Sequence, residues 1–305
     1  LVNNRNSRNF WCNVKGIGSW SLTGHSAEEL SKKFTEMQDD SEVTAGFMWQ
    51  KTTRESKKYQ LRGEILSFIP VDKNVEIMLV TITNTGRMAQ TVTPTAAIPL
   101  YGRSADNIRD HRHVTSLLHR IETTDTGVLV TPTLSFDERG HQVNHMTYYC
   151  VGWSGNGEKP VDFYPTAEDF VGEGGNFERP YAIVKNAEGV KAGTKIEGLE
   201  AVGGLHFSEI TLEPEEECSY LIFTGITEDI QEIRNLSKTY TTREKVLEEL
   251  EKTKAYWQEK VNVAYHTGDS DFNQFMHWVS FQPILRRIYG CSFLPHHDYG
   301  KGGRG

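Results

Sequence analysis

The stretch Pro295-His296-His297-Asp298-Tyr299-Gly300-Lys301-Gly302-Gly303-Arg304-Gly305 is the most site-like part of this sequence. Its glycines let a backbone approach a ligand closely and expose amide N–H groups. Lys301 and Arg304 bring positive charge to the same loop, and His297 and Asp298 add polar donors and acceptors. That combination suits an anion such as phosphate beside a polyol. It lacks the spacing of a nucleotide-binding P-loop. The alternative is a flexible terminal tail.

Other polar clusters carry weaker signals. Asp110-His111-Arg112-His113 and His119 hold three histidines. Two of them would share a strand face, but nothing nearby completes a metal set, so a solvated loop is the plainer reading and no metal is expected. Glu168, Asp169, Glu173 and Glu178 surround Gly172, Gly174 and Gly175. Paired carboxylates can do glycosidase acid–base work, yet such pairs usually come from separate elements. A glycine-rich surface turn is the alternative. Trp11, Trp20, Trp49 and Trp153 are candidates for stacking on sugar faces or for the core of a sandwich. No GxSxG, HExxH, GxGxxG or kinase signature occurs, so serine-hydrolase, zincin and nucleotide-binding readings have no local support.

The elements that must position these groups are mostly strands. Val43–Gln50, Tyr59–Pro70, Val75–Thr83, Thr91–Pro99, Val114–Thr123, Gly127–Thr133, Thr147–Trp153 and Tyr220–Gly225 are rich in β-branched and aromatic residues and bounded by turn formers. Many strands in series with few helices between them predict a large antiparallel β-sandwich. Glu215–Glu217, just after Pro214, reads as a solvated hairpin turn.

Two short helices are expected within the strand-rich region. Ser26 can cap one carrying Leu30 and Phe34 on a face, and Thr166 can cap AEDFVG. After Thr227 the pattern turns helical. Thr241 and Glu244 form a capping-box pattern ahead of Val246, Leu250, Trp257 and Val261. Asp269 or Ser270 can cap a further helix with Phe272, Phe275, Met276 and Val279 inward, bent at Pro283. The expected organisation is a sandwich over residues 1–227, a helical linker over 228–265, and a further domain from 266 to 305.

Bulk properties narrow the function classes. The chain has 305 residues, 37% hydrophobic and 24% charged, which marks a globular protein of about two domains. A net charge of −8 argues against nucleic acid as a partner and is compatible with a neutral sugar. No apolar run reaches 18 residues, so no membrane partner is expected. Cys12, Cys150, Cys218 and Cys291 are widely spaced without CxxC, which favours free thiols and a cytoplasmic setting over disulfides. The sequence starts without Met or a leader, and its tail stops inside a glycine-rich loop. It therefore reads as a chain with an internal start and a truncated end.

The order of motifs resembles the inverting glycoside phosphorylases that include cellobiose and chitobiose phosphorylases. Glu168-Asp169-Phe170-Val171-Gly172 followed by Arg179-Pro180 is similar to that family's F-hydrophobic-G…P segment. Leu212-Glu213-Pro214-Glu215-Glu216, running on to Leu221–Gly225, resembles its L-x-P-G-E strand pair, with Glu215 where Gly is usual. Thr267-Gly268-Asp269 through Phe272, Met276, Trp278, Phe281 and Gln282 resembles its approach to the catalytic barrel, with Gly268 for Pro, Met276 for Asn and Phe281 for Tyr. The tail is most similar to the branch acting on β-1,2- or β-1,3-oligoglucans.

The resemblance implies a β-sandwich, a helical linker and the start of an (α/α)6 barrel. It implies reversible phosphorolysis: β-glucan plus inorganic phosphate gives α-glucose 1-phosphate and a shortened glucan. Phosphate is then a co-substrate, and no cofactor is needed. One Asp acts as general acid and phosphate attacks the anomeric carbon from the opposite side. That Asp is expected beyond Gly305, so this chain alone would be inactive. His297, Asp298, Lys301, Arg304 and Arg287 are the expected substrate- and phosphate-binding residues. Cys291 stands where the family has a sugar-contacting Arg, and Lys301 where it has a phosphate-contacting one. Lys binds phosphate as a point charge without the bidentate fork, and Arg304 or Arg287 can compensate. A homodimer is also implied, the sandwich reaching towards the partner's active site. Two other readings stay open: a non-catalytic carbohydrate-binding or dimerisation module, and an inverting hydrolase on the same scaffold.

Overall fold

Stretches of Val, Ile, Thr and aromatic residues fold into two facing antiparallel sheets and a separate two-stranded ribbon, with helices packed outside the two main sheets. The computed structural model describes residues 8–102, 116–137 and 140–286. The strands are β1 (Asn9–Val14), β2 (Gly18–Ser21), β3 (Asp40–Gly46), β4 (Trp49–Ser56), β5 (Leu61–Phe68), β6 (Val75–Asn84), β7 (Gln90–Leu100), β8 (Arg120–Thr123) and β9 (Gly127–Val130). They continue with β10 (Leu134–Asp137), β11 (Gly140–Val143), β12 (Thr147–Ser154), β13 (Asp162–Thr166), β14 (Lys195–Glu197), β15 (Ala201–His206), β16 (Ile210–Leu212) and β17 (Glu217–Thr227). The helices are α1 (Ala27–Ser31), α2 (Ala167–Val171), α3 (Tyr181–Lys185), α4 (Ile230–Thr239), α5 (Arg243–Lys260) and α6 (Ser270–Arg286).

The larger sheet runs β14-β8-β9-β12-β17-β6-β5-β4-β3, and the smaller runs β13-β15-β7-β1-β2 with β16 also on β7. The core between them includes Phe10, Trp20, Leu61, Val80, Ile82, Leu205, Tyr220 and Ile222. On the other face of the larger sheet, Ile77, Leu79, Trp153, Leu221 and Phe223 pack under Ile233, Leu236, Tyr240, Val246 and Leu250 of the helical segment. Strands β6 and β17 are therefore apolar on both faces. This explains the dense start of VEIMLVTITN, where strict alternation would leave one face wet. Outside the smaller sheet, α2 and α3 cover Trp11, Ala97 and Tyr164 with Phe170, Ala182 and Ile183.

Local capping chemistry explains several helix starts. Ser26 accepts a hydrogen bond from the Glu29 amide, and Thr166 from that of Asp169. Asp229 caps α4 through the Gln231 amide. Asp269 caps α6, its Oδ1 accepting from the Asp271 and Phe272 amides. The long linker helix departs from expectation: its cap position is Thr242, one residue after the expected Thr241, and carries no side-chain cap bond.

Three further expectations are corrected. Val43–Gln50 is not one strand, because a turn at Phe47 and Met48 divides it between β3 and β4. Leu30 and Phe34 do not form a buried face: α1 ends at Ser31, and Phe34 is 91% exposed. Phe272, Phe275 and Val279 of α6 are also exposed, and the ring that is fully buried is Phe281.

The turn after β16 shows a consequence of one residue choice. Glu215 holds a left-handed φ of +65° while its amide donates to the Asn84 carbonyl. An L side chain in this region costs about 1–2 kcal/mol, partly offset by the greater chain entropy that glycine loses on folding. Glu215→Gly is expected to raise unfolding stability by about 0.5–1 kcal/mol in urea denaturation.

At one end of the sandwich a buried charged network ties α1 to β4. Arg54 Nη2 lies 2.8 Å from Glu29 Oε2 and 3.5 Å from Asp39 Oδ2, and Trp20 Nε1 donates to Asp39 at 2.8 Å. Gly24 makes room for it, since a Cβ there would stand 2.4 Å from the guanidinium. Beside this network, burial by itself would raise the Glu28 carboxyl. Hydrogen bonds from Lys32, Lys58 and Tyr59 outweigh that and hold it at about 2.

Candidate functional site

Two clefts carry the candidate groups. The first sits at the junction of the β3–β4 turn with α5 and α6. Phe47, at the tip of that turn, packs against α6. Its ring is 4.5 Å from Phe281, 4.8 Å from His277 and 6.0 Å from Trp278, stacked on the last. Trp257 of α5 closes on Phe281 edge-on at 5.2 Å. The tight turn depends on Gly46, where a Cβ would stand 2.3 Å from the Trp49 ring. It also depends on Met48, which takes a φ of +60°.

This junction frames an open cleft of about 500 Å³. Trp49 and Trp278 supply ring surface, Gln258 and Gln274 supply uncharged amides, and Lys254 and His277 complete the lining. The Lys254 ammonium lies over the Trp49 ring at 4.7 Å, so it already covers one face of that ring. His277 Nε2 is 3.0 Å from the Val261 carbonyl, which fixes the imidazole against the end of α5. Aromatic faces beside neutral amides suit a polyol better than an ion: rings take the C–H faces of a sugar and amides take its hydroxyls.

The second cleft, of about 680 Å³, lies along the glycine-rich loop after α2. Gly172 ends the helix at a φ of +75°, and a Cβ there would meet Tyr181 at 2.6 Å. At Gly175 a Cβ would stand 1.9 Å from the Val171 carbonyl oxygen, so only glycine fits. Asn176 Oδ1 accepts from the amides of Glu178 and Arg179 and shapes the return. Glu168, Glu173 and Glu178 line this cleft with Val171 and Phe177. Glu168 and Glu173 are exposed and Glu178 is half-buried. A glycosidase acid needs a carboxyl held in an apolar site, and none of these three is buried. Asp169 is turned to capping, accepting from Thr166 Oγ1 at 2.7 Å. The surface-turn reading of this segment is the one the geometry supports.

The four tryptophans of the expected stacking set divide clearly. Trp11, Trp20 and Trp153 are buried, at 2%, 1% and 4% exposure, and belong to the packed layers. Trp49 lines the aromatic cleft. His119 is buried with Nδ1 3.1 Å from the Leu199 carbonyl, a structural contact. Among the described residues no group of three or more His, Cys, Asp or Glu side chains is placed to hold a metal. Cys12 and Cys150 are buried free thiols and Cys218 is a half-buried one. Burial pushes the Cys150 thiol up to about 12, outside the reactive range. No helix among the described residues is long and apolar enough to cross a membrane.

The expected ligand-binding residues Arg287, His297, Asp298, Lys301 and Arg304 lie outside the described residues, as do Asp110–His113 and Cys291. The lining residues Phe47, Lys254, Gln258, Gln274 and His277 were not singled out from the sequence. They come from the β3–β4 turn and, some 200 residues later, from the neighbouring helices α5 and α6, and no local spacing links the turn to the helices.

Comparison with known proteins places this architecture. No curated protein matches the chain. Among solved structures, a bacterial glucoamylase complexed with acarbose aligns with a TM-score of 0.47 at 10% identity, covering 85% of this chain and 32% of its own. A polysaccharide lyase aligns at 0.37 and 11% identity, over 75% of this chain and 26% of its own. A GH36 α-galactosidase from Geobacillus stearothermophilus in complex with stachyose aligns at 0.28 and 11% identity, over 72% and 30%. The chain thus spans about a third of the glucoamylase's length. The family comparison is more specific: the description "Glycosyl hydrolase 94, supersandwich domain" matches residues 18–243, about three quarters of the chain. Those residues run from the start of β2, through both sheets and α4, to the first residue of α5. The chain belongs to the glycosyl hydrolase 94 family, a family of carbohydrate-active enzymes, and carries its supersandwich domain.

Proposed function

We propose that this chain is the sandwich, linker and barrel-approach portion of an inverting β-glucan phosphorylase acting on β-1,2- or β-1,3-oligoglucans. The observation that carries the reading is the family match over residues 18–243, followed directly by the α5–α6 junction. In this reading α6 opens the (α/α)6 barrel, and the domains divide near residues 227 and 265. The general acid is an Asp beyond Gly305. Its proton passes to the glycosidic oxygen as the bond from that oxygen to the anomeric carbon breaks. A phosphate oxygen forms the new bond to that carbon from the opposite face. His297, Asp298, Lys301, Arg304 and Arg287 hold the phosphate and the adjoining sugar. The sandwich frames this site and supplies no acid of its own, in keeping with a glycine-rich cleft whose carboxylates are exposed or half-buried.

The whole protein carrying this chain is expected to release α-glucose 1-phosphate from β-glucan and inorganic phosphate. Release of free glucose without the ester would instead assign an inverting hydrolase on the same scaffold. No product from any β-glucan linkage would overturn the enzymatic reading.

A second reading is favoured by the aromatic cleft: a sugar-binding module, with Trp49 and Trp278 as platforms and Gln258 and Gln274 as hydrogen-bonding groups. The two readings are compatible within one protein, because a sandwich can hold a glucan that a barrel then cleaves.

A further inference from the structure

The two tryptophans of the aromatic cleft are not equally available. Trp278 of α6 rests one face on Phe47, with 6.0 Å between centroids and 20° between planes, and is 41% exposed. Trp49 is covered on both faces. Beneath it lies Gly46, its register partner across the β3–β4 hairpin. A Cβ built on Gly46 would stand 2.3 Å from Nε1, 2.6 Å from Cε2 and 3.0 Å from Cζ2 of the ring. No point in the plane of the indole satisfies those three distances together, so the Gly46 backbone lies under a face of the ring and not beside its edge. The other face turns away from the sheet towards α5, whose Val246 and Leu250 pack on this side of the larger sheet. There the Lys254 ammonium lies over the ring, 4.7 Å from its centroid.

We propose that Lys254 is a gate on the Trp49 platform: a neutral β-gluco-oligosaccharide stacks on Trp49 only by displacing the ammonium from the one face that the sheet does not already occupy. This inference rests on the sugar-binding reading of the cleft and concerns how that site is filled. The two covers of the ring differ in kind. Gly46 is main chain, held in a ladder of seven consecutive pairs between β3 and β4, and cannot withdraw. Lys254 can. Its side chain is 32% exposed, and Glu251 Oε1, one turn back along α5, lies 2.8 Å from its Nζ. Swung towards Glu251, the ammonium keeps that ion pair and gains water while the ring is released.

Cation and sugar compete because both need the same π face. The ammonium is drawn to the ring quadrupole, and the C–H face of a sugar to its apolar surface. Gln258 and Gln274 supply the hydrogen bonds for hydroxyls without Lys254. A lysine that instead bound the sugar directly would stand beside the ring, not over the face that the sugar takes. The two roles predict opposite signs. Losing a ligand contact weakens binding, whereas losing a gate strengthens it.

Calorimetry of the 305-residue chain with linear β-1,3- and β-1,2-gluco-oligosaccharides tests this. Lys254→Ala should bind about threefold more tightly than the unaltered chain, the size of an exposed cation–π contact. Lys254→Arg should bind about threefold more weakly, because a guanidinium stacks on an aromatic face more firmly than an ammonium. In a Trp49→Ala background Lys254→Ala should change nothing. An unchanged melting temperature will confirm that each variant is folded. NMR reads the gate itself: the Lys254 ε-methylene protons should be shielded by the ring in the free chain and lose that shielding when oligosaccharide saturates the site. Binding that depends on Trp49 but is weakened or unchanged by Lys254→Ala overturns the gate and leaves the sugar-binding reading standing. Lysine protons that are unshielded in the free chain, or that stay shielded at saturation, do the same. Binding by Lys254→Ala alone supports the gate. No binding by either chain, or binding indifferent to Trp49→Ala, overturns both the gate and the sugar-binding reading.

Discussion

Replacing Trp153 with alanine is expected to lower the unfolding free energy by roughly 3–5 kcal/mol, the cost of deleting a large buried ring. Trp153 is 4% exposed and stacks on Phe223 at 4.7 Å. Its Nε1 donates to the Tyr240 carbonyl at 3.0 Å, where α4 ends. Phe223 in turn stacks on Tyr240, and the Lys73 ammonium lies 4.8 Å over the outer face of that ring. The column therefore ties the larger sheet to the helical segment, and the variant loses ring contacts and leaves a carbonyl without its donor. Urea denaturation checks the magnitude, and hydrogen exchange over α4 and α5 checks the place. Trp49→Ala makes the contrasting case. Its half-buried ring lines the aromatic cleft, so the variant is expected to stay folded and to lose about tenfold in affinity for β-glucan oligosaccharides, read by calorimetry on the 305-residue chain. Unchanged affinity in folded Trp49→Ala would remove the cleft from any binding role.

Arg54→Met should be comparably damaging for a different reason. The guanidinium, its side chain 8% exposed, holds Glu29 and Asp39, whose side chains are 5% and 4% exposed. Methionine fills a similar volume but leaves both carboxylates with less compensation, and breaking such a buried network costs about 3–5 kcal/mol. The deficit should lie in charge and not in packing. Adding Glu29→Gln and Asp39→Asn to Arg54→Met is therefore expected to restore part of the lost stability in thermal unfolding, whereas the same two changes with Arg54 intact should destabilise. A triple variant no better than Arg54→Met alone would show that packing around Gly24 and Trp20 dominates instead.

The sequence made the sandwich legible where local chemistry decides structure. The doubly apolar run of β6, the flanking turn formers and the caps at Ser26 and Thr166 all report directly on backbone state. The β3–β4 turn escaped because Phe47 and Met48 are poor turn formers. The turn stands on Gly46, on the left-handed Met48 and on a tertiary contact of Phe47 with α6 that no short window contains. The orientation of α6 escaped for a related reason. Phe272, Phe275, Val279 and Phe281 are all apolar, and which of them is buried depends on where Phe47 and Trp257 arrive. Glu215, by contrast, was marked correctly as unusual: the place where glycine is usual is a place where φ is positive. Among the candidate site residues, single-residue chemistry could pick out Trp49 but could not separate it from the buried Trp153. Only layer position does that.

The central position of β17 has a temporal consequence. This strand pairs with β6 on one side and β12 on the other, joining residues 75–84 and 147–154 to residues 217–227. During synthesis, β6 pairs with β5 but leaves the ribosome long before β17 exists, and presents an apolar edge on which any other extended segment can settle. The sheet can close only after residue 227 has emerged, so its assembly is governed by long loop closures and is intrinsically slow. Helices α4 and α5, synthesised next, then arrive on a face that has just been completed. For this protein the order of translation is also the order in which its layers become buildable.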